Sequence, residues 1–273
     1  MKRIAAVQDI SCVGRCSLTV ALPIISAMGV EACPLPTALL SSHTLFPDPT
    51  KYDLTDVLPE ITGHWKKIGV TFDGIYTGYS GSVRQLDVIS EFIREFRGDG
   101  FVFIDPVMGD HGRLYSGFTA EYVAKMAQFC GMADIIVPNL TEACLMLGID
   151  YIGEDYSEGD LKEILRGLTT LGAAKAVVTG VSLERGRLGA AAYDSGSGEY
   201  FLCMGDRVEG SFHGTGDIFA SVCVGALAKG EALRNAVEQA VRFTCECIKI
   251  TAGDSRDSRY GVNFERVLHI LTE

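Results

Sequence analysis

Short apolar runs alternate with amphipathic stretches along most of this 273-residue chain. Parallel strands need long crossover connections, which are usually helices, so repeated alternation predicts a mostly parallel sheet with helices on both faces. The pattern predicts strands at 3–7, 30–35, 72–77, 101–104, 135–137 and 176–179, and helices at 18–28, 54–68, 82–96, 119–129, 157–171, 218–229, 233–251 and 264–271. Because no repeat or linker interrupts the pattern, one α/β domain spanning residues 1–273 is expected.

Three local features add to this pattern. Residues 187–193 and 199–203 flank a glycine- and serine-rich turn, which predicts a late antiparallel hairpin. Residues 36–51 lack a regular period and predict a long loop, of a length typical of functional loops. Ser17 is expected to cap the first helix.

Residues 212–217, with the sequence FHGTGD, lie directly before an apolar helical run. Gly214 and Gly216 allow backbone N–H groups to turn toward one point, and a helix N-terminus adds further donors, so the motif predicts a phosphate site. A carboxylate at Asp217 would repel phosphate unless it took a proton from an attacking hydroxyl. It could equally be only a helix cap. The motif by itself leaves cap and catalyst equally open.

Acidic and amide side chains follow two neighbouring strands. Asp105 and Asp110 lie in one strand-end loop, and Asn139 and Glu142 follow the next strand. Ligands of parallel sheets bind beyond the carboxyl ends of the strands, and hard oxygen ligands suit Mg²⁺ carried by a nucleotide. Helix capping by Asp110 and Thr141 is the structural alternative. Two such loops in one layer favour the metal.

Three further residues are candidates for binding a small acceptor. His43 and Thr44 lie in the long loop and could hydrogen-bond a polar substrate, whereas Tyr79 could stack on an aromatic ring. Each has an ordinary alternative, since loop histidines often hydrogen-bond the backbone and aromatic residues beside glycine often only pack.

Composition excludes several classes of protein. The net charge of −11 argues against nucleic acid or an anionic membrane as the main partner. No apolar run approaches the roughly 18 residues of a membrane span, and nine scattered cysteines without a C-x-x-C pair indicate a reducing compartment, so a cytoplasmic protein is expected. The chain also lacks the P-loop, the three-glycine dinucleotide fingerprint, G-x-S-x-G and H-E-x-x-H.

Motifs along nearly the whole chain match a known family in order. They are Gln8, residues 42–44, 77–79, 105–110, 138–139 with Glu142, 178–179 and 214–217. The chain thereby resembles the ribokinase-like superfamily and, within it, the pyridoxal (vitamin B6) kinases. The resemblance implies a three-layer sandwich and an ATP-dependent kinase that phosphorylates the 5′-hydroxymethyl group of pyridoxal, pyridoxamine or pyridoxine. It also implies a homodimer.

The resemblance implies a role for each matching residue. Asp217 would be the general base, and Gly214, Thr215 and Gly216 would form the anion hole for the phosphoryl group. His43, Thr44 and Tyr79 would hold the pyridine ring. The residues implied for Mg-ATP are Asp105, Asp110, Asn139 and Glu142, of which Asp105 and Glu142 would be metal ligands. Asp105 and Thr179 would lie near a K⁺ ion if one binds. Tyr115 would lie over the phosphates.

One residue departs from the family pattern. Pyridoxal kinases commonly have serine after the first-strand glutamine, where this chain has Asp9. A carboxylate there could favour a cationic ring or amine, so Asp9 is predicted to bind the substrate and to shift preference toward pyridoxamine. The alternatives are a hydroxymethylpyrimidine kinase of thiamine synthesis, which often has cysteine in place of Asp217, and a nucleotide-binding regulator that has lost catalysis. A sugar kinase is less favoured because the acceptor loops suit a flat heterocycle.

Overall fold

A computed structural model describes residues 1–153, 155–254 and 257–272. Its strands are β1 (Arg3–Ser11), β2 (Glu31–Leu40), β3 (Lys51–Asp53), β4 (Gly74–Thr77), β5 (Phe101–Ile104), β6 (Gly109–Asp110), β7 (Arg113–Leu114), β8 (Ile135–Ile136), β9 (Lys175–Val181), β10 (Arg187–Asp194) and β11 (Glu199–Asp206). Its helices are α1 (Leu18–Ala27), α2 (Leu58–Lys67), α3 (Val83–Phe96), α4 (Ala120–Cys130), α5 (Leu140–Leu147), α6 (Glu158–Thr169), α7 (Thr215–Ala228) and α8 (Leu233–Ala252).

Nine of the described strands form one sheet in the order β11-β10-β9-β8-β5-β4-β1-β2-β3. The six strands from β9 to β2 in this order pair in parallel, whereas β3 and the β10–β11 hairpin pair antiparallel at the two edges. The small β6–β7 hairpin lies apart from this sheet. The predicted parallel sheet and late hairpin are confirmed.

Helices cover both faces of the sheet and make two apolar cores. One core joins the sheet to α1, α7 and α8, and the other joins it to α2 through α6. The fold is therefore the predicted three-layer sandwich. No helix in the described ranges is long and apolar enough to span a bilayer.

The first two strands are longer than predicted. β1 continues to Ser11, so Gln8 and Asp9 lie inside the strand, not after it. β2 continues to Leu40, which shortens the long loop to residues 41–50. The prolines at 34 and 36 are the reason that the sequence did not predict the continuation of this strand beyond residue 35. β3 pairs only with Ala38–Leu40, so the outer side of β2 is unpaired at the two prolines. Proline is tolerated there because an edge position needs no N–H donor on that side.

Two further segments also differ from the predicted pattern. Helix α5 was not predicted, because its residues are buried on most sides and so lack an amphipathic period. The Asn-x-x-Glu spacing of Asn139 and Glu142 is a helix-start signal that would have located it. The helix expected at 264–271 is instead two 3₁₀ segments, Phe264–Arg266 and Leu268–Leu271.

Candidate active site

The two glycines of the 212–217 turn have different surroundings. Gly214 is left-handed, with φ 83°, and a Cβ built on it would lie 2.3 Å from the carbonyl oxygen of Arg15. Only glycine combines that conformation with that approach. A Cβ on Gly216, by contrast, would meet no described atom within 4 Å. The turn therefore needs Gly214 for its own shape and leaves the backbone at Gly216 open to a ligand.

Asp217 lies half-buried in the first turn of α7. The cap residue of α7 is Gly214, and α7 has no side-chain cap hydrogen bond. The capping alternative that the motif left open therefore finds no support in a hydrogen bond at the start of α7. Burial, with a smaller effect from the charge of Asp9, raises the pKa of Asp217 to about 7. A carboxylate with a pKa near 7 is well matched to general-base catalysis at neutral pH.

Asp9 lies beneath this carboxylate and is only 5% exposed. One of its oxygens accepts a hydrogen bond of 2.5 Å from the hydroxyl of Ser17, and the other accepts a longer one, 3.4 Å, from Ser11. Burial raises the pKa of Asp9. Ser17 stands at the N-cap position of α1, as expected, but its side chain makes no cap bond. The expected cap is wrong because Asp9 takes the hydroxyl.

His43 connects the 41–50 loop to two other segments. Its Nε2 donates to the carbonyl of Arg259 at 2.5 Å, and its Nδ1 accepts from the N–H of Leu45 at 3.3 Å. Its ring lies 4.3 Å from that of His213, centroid to centroid. Burial lowers the pKa of both rings, that of His213 to about 4. Both ring nitrogens of His43 are therefore engaged, and the residue is only 3% exposed, so in this structure His43 fixes the loop and presents no free nitrogen to a substrate.

Tyr79 and Thr44 are the other two residues predicted to bind the acceptor. Thr44 is exposed, and Tyr79 is half-buried with its ring 6.0 Å from that of Phe118. The ammonium of Lys51 donates to the Tyr79 hydroxyl at 3.1 Å and also lowers the pKa of Asp9 through its charge. Sequence reasoning missed Lys51, since no motif marks a single lysine on an edge strand.

Asp105 is a buried acidic residue in the loop after β5. It is 8% exposed, and its carboxylate makes no hydrogen bond to any described residue. Burial, then the charges of Glu142 and Asp217, raise its pKa well above the usual range. A buried carboxyl group without partners is costly unless a cation or proton compensates it. Its surroundings therefore fit a cation ligand.

Asn139 and Glu142 serve mainly to hold the neighbouring loop. Glu142 Oε1 accepts from the N–H groups of Met108 and Gly109 at 3.0 and 3.5 Å, and Oε2 accepts from that of Asn139 at 2.9 Å. Asn139 accepts from the N–H of Glu142 and donates to the carbonyl of Gly109. Burial raises the pKa of Glu142 to about 8 despite these donors. The two side chains form a capping box that also fastens the loop from 105 to 110.

This arrangement corrects the alternative expectation of caps at Asp110 and Thr141. Asn139 is the cap of α5. The hydroxyl of Thr141 accepts from the N–H of Gly112, and Asp110 lies in β6, where it accepts from the N–H of His111. In the described part of the chain, no group of three or more His, Cys, Asp or Glu side chains is arranged to hold a metal ion. A metal at Asp105 would thus need oxygens from a nucleotide or from water.

Thr179 and Tyr115, which were also predicted to bind the nucleotide, lie near Asp105, Asn139 and Glu142. Thr179 forms an isolated parallel bridge with Asn139, and its N–H donates to the carbonyl of Pro138. Tyr115 is 44% exposed and donates its N–H to the carbonyl of Met108. Burial and the charges of four acidic residues raise its pKa, namely Glu142, Asp110, Asp105 and Asp217. Asp105, Glu142 and Asp217 are therefore close enough for their charges to interact at the carboxyl ends of the parallel strands.

The sheet order, the glycine turn at a helix start and a strand-end acidic layer together define a ribokinase-like α/β kinase. Comparison with known proteins agrees. A family model described as phosphomethylpyrimidine kinase matches residues 22–261. The chain belongs to this family and, within it, groups with the pyridoxal kinases, which makes it a phosphotransferase with an alcohol group as acceptor. The predicted family, fold and enzyme class are confirmed.

Solved structures and curated relatives cover nearly all of the chain. The pyridoxal kinase of Lactobacillus plantarum is 34% identical with a TM-score of 0.91, over 99% of this chain and 96% of that one. A Bacteroides thetaiotaomicron protein, provisionally named phosphomethylpyrimidine kinase and crystallised with pyridoxal, is 43% identical with a TM-score of 0.95, over 100% and 96%. A pyridoxine/pyridoxal/pyridoxamine kinase of Bordetella avium is 27% identical, over 91% and 85%.

Proposed function

We propose that this protein transfers the γ-phosphoryl group of ATP to the 5′-hydroxymethyl group of pyridoxal, pyridoxamine or pyridoxine. The observation that carries the proposal is Asp217, a carboxyl group with a pKa near 7 at an open glycine turn that begins a helix. The pyridoxal bound to the B. thetaiotaomicron relative supports the acceptor.

Asp217 would accept the proton of the acceptor hydroxyl as that oxygen bonds to phosphorus. The unpaired N–H groups at the start of α7 would stabilise the charge on the transferring group, because donors there point out of the helix along its positive end. The open backbone at Gly216 supports close approach. Positioning of the two reactants and this electrostatic stabilisation would supply most of the acceleration.

Mg²⁺ carried by the nucleotide would neutralise phosphate charge during transfer. Asp105 is the residue best suited to it, because its carboxyl is buried and without a partner among the described residues. Glu142 has three backbone donors and would act mainly by fixing the loop that bears Asp105. A K⁺ ion, if one binds, would lie by Asp105 and Thr179, and Tyr115 and Asp110 would face the phosphates.

The acceptor would lie on the other side of Asp217, between Tyr79 and the 41–50 loop. The half-buried ring of Tyr79 supports stacking of a flat heterocycle, with its hydroxyl held by Lys51. Thr44 would complete the contacts, and the buried His43 would act by holding the loop that bears Thr44. We also propose that the chain acts as a single domain, assembles as a homodimer and works in the cytoplasm.

A second acceptor, hydroxymethylpyrimidine, is supported by the family model, which is described as phosphomethylpyrimidine kinase. It would present a similar hydroxymethyl group to the same base. Asp217 favours the vitamin B6 acceptors, since the pyrimidine kinases often have cysteine at this position.

An ATP-consumption assay across the three B6 vitamers, hydroxymethylpyrimidine and ribose tests the proposal. We expect turnover with at least one B6 vitamer to exceed that with either other acceptor, and to disappear without Mg²⁺. Higher kcat/KM for hydroxymethylpyrimidine would replace the proposed acceptor. Absence of turnover with all five would support the catalytically inactive regulator. The assembly state is tested separately by sedimentation of the purified protein.

A further inference from the structure

The segment 257–261, which follows α8, lies against the loop that carries the proposed acceptor contacts. The carbonyl of Arg259 accepts the hydrogen bond from His43, and the ring of Tyr260 packs against Phe46. We infer that Tyr260 is a positioning residue for the acceptor, which braces the 41–50 loop and thereby holds Thr44 in place. The inference rests on the proposed function for the identity of the acceptor, whereas the packing of the two segments stands on geometry.

Two side chains of the 41–50 loop make the contact with this segment. His43 is 3% exposed, and its Nε2 lies 2.5 Å from the carbonyl oxygen of Arg259. The ring of Phe46 lies 5.1 Å from that of Tyr260, at an interplanar angle of 62°, and 5.3 Å from the guanidinium of Arg259. Edge-to-face ring pairs and cations near a ring are both attractive. The rings of His43 and Phe46 are themselves 5.0 Å apart, so the four residues form one connected group.

The backbone around Thr44 depends on the same histidine. The N–H of Leu45 donates to Nδ1 of His43 at 3.3 Å, and the N–H of Phe46 donates to the His43 carbonyl at 3.2 Å. Thr44 is exposed and lies in the chain between the two residues that contact the 257–261 segment. Loss of either contact would therefore allow Thr44 to move.

The 257–261 segment is itself fixed to the loop after β1. The carbonyl of Tyr260 accepts hydrogen bonds from the backbone N–H of Arg15 at 3.1 Å and from its guanidinium at 3.3 Å. Gly261 is left-handed, with φ 82°, and a Cβ built on it would lie 2.7 Å from the Arg15 carbonyl oxygen. That oxygen also lies against Gly214. Arg15 thus connects the segment to the glycine turn before α7, so one segment holds the acceptor loop in a fixed relation to the proposed phosphate site.

Tyr260→Ala tests the brace, and it should fold because Tyr260 is 45% exposed. We expect acceptor KM to rise about threefold to tenfold, as the strength of one aromatic pair implies, with kcat within about twofold. The KM for ATP should not change, because the capping box of α5 holds the residues proposed for the nucleotide. Tyr260→Phe keeps the ring and should restore the wild-type KM. Tyr52→Ala, at a tyrosine 62% exposed on β3, is the matched control and should behave as wild type.

Phe46→Ala removes the other ring of the pair and allows a double-mutant cycle. If the two rings act together, the double variant should raise acceptor KM by no more than about twofold beyond the larger single effect. Increases that multiply would show that the rings act independently and would overturn the inference. An unchanged acceptor KM in Tyr260→Ala would also overturn it.

Amide hydrogen exchange without any ligand separates the brace from the reaction. Exchange reports local opening, so the N–H groups of Leu45 and Phe46 should exchange faster in Tyr260→Ala than in wild type or Tyr52→Ala. Equal exchange rates would refute the brace, and faster exchange with an unchanged acceptor KM would refute its role in positioning. Failure of the proposed function is distinguishable, because a protein without vitamin B6 kinase activity would still show the difference in exchange.

Discussion

Two carboxylates of the candidate site differ in their surroundings, since Glu142 is buried and Asp217 is half-buried. Glu142 accepts three backbone N–H groups, and those bonds fix the neighbouring loop. Asp217 makes no side-chain hydrogen bond to a described residue and has a like charge nearby at Asp9. Burial raises the pKa of both, to about 8 and about 7. The two carboxylates also differ in what they adjoin, since Glu142 binds the loop that follows β5 and Asp217 adjoins the open glycine turn.

The comparison shows how a structural acid can be distinguished from a reactive one. A carboxylate whose lone pairs are filled by backbone donors stabilises a loop and has little capacity left for a ligand. One with few donors is held in the fold at a cost, and such cost is common at functional sites. Removing Asp217 should therefore harm activity and spare stability, and removing Glu142 should do the opposite.

Asp217→Asn should give the largest effect on activity. Loss of the base should lower kcat by about 10²–10⁴-fold. ATP affinity should stay near wild type, because the nucleotide side is unchanged. At pH 8 the melting temperature should rise, since the variant no longer keeps a charge in a poorly solvated position. Steady-state kinetics, calorimetric titration with an ATP analogue and thermal melts measure the three quantities. Near-normal kcat would remove Asp217 from the mechanism.

Glu142→Ala should give the largest effect on stability. It leaves the N–H groups of Met108, Gly109 and Asn139 without their acceptor, at a cost of about 1–3 kcal/mol for each group that stays buried and unsatisfied. We expect urea unfolding to show a loss of about 3 kcal/mol or more. Glu142→Gln keeps one acceptor oxygen and should lose less. Unchanged stability with weakened Mg-ATP binding would instead identify Glu142 as a ligand.

Gly214→Ala and Gly216→Ala should separate shape from ligand contact within the glycine turn. At Gly214 a Cβ meets the Arg15 carbonyl and φ is positive, so we expect a loss of about 2 kcal/mol in stability as well as activity. At Gly216 alanine meets no described atom and favours the helix by up to about 1 kcal/mol. Gly216→Ala should therefore melt no lower than wild type while kcat falls. Full activity in that variant would argue against close phosphoryl approach.

The pH dependence should give the smallest effect. Asp217 must be unprotonated to accept a proton, so kcat should fall as pH drops below about 7, approaching tenfold per unit. The folded pKa is raised above the unfolded value, so the folded state binds the proton more tightly. Wild type should thus gain stability relative to Asp217→Asn as pH falls from 7 toward 4. A melting-temperature difference that does not change with pH would contradict the raised pKa.

Much of the site was predictable because its residues follow parallel strands, whose carboxyl ends meet at one edge. Asp105, Asn139, Glu142 and Thr179 come together for this reason. Their division into ligands and loop clamps was not predictable, since it depends on which backbone N–H groups point at each carboxylate. Lys51 also escaped prediction, because its contact with Tyr79 joins an edge strand to a distant loop.

The sequence by itself determined the α/β class, the kinase family and the glycine turn with Asp217. Local period and short motifs carry that information along the chain. Only the tertiary structure decided that Asp9 accepts a hydrogen bond from the Ser17 hydroxyl and that Glu142 fastens a loop. The physical reason is that desolvation and hydrogen bonding act through space, so the pKa and the role of a carboxyl group depend on neighbours that lie far away in the chain, as Asp9 does from Asp217.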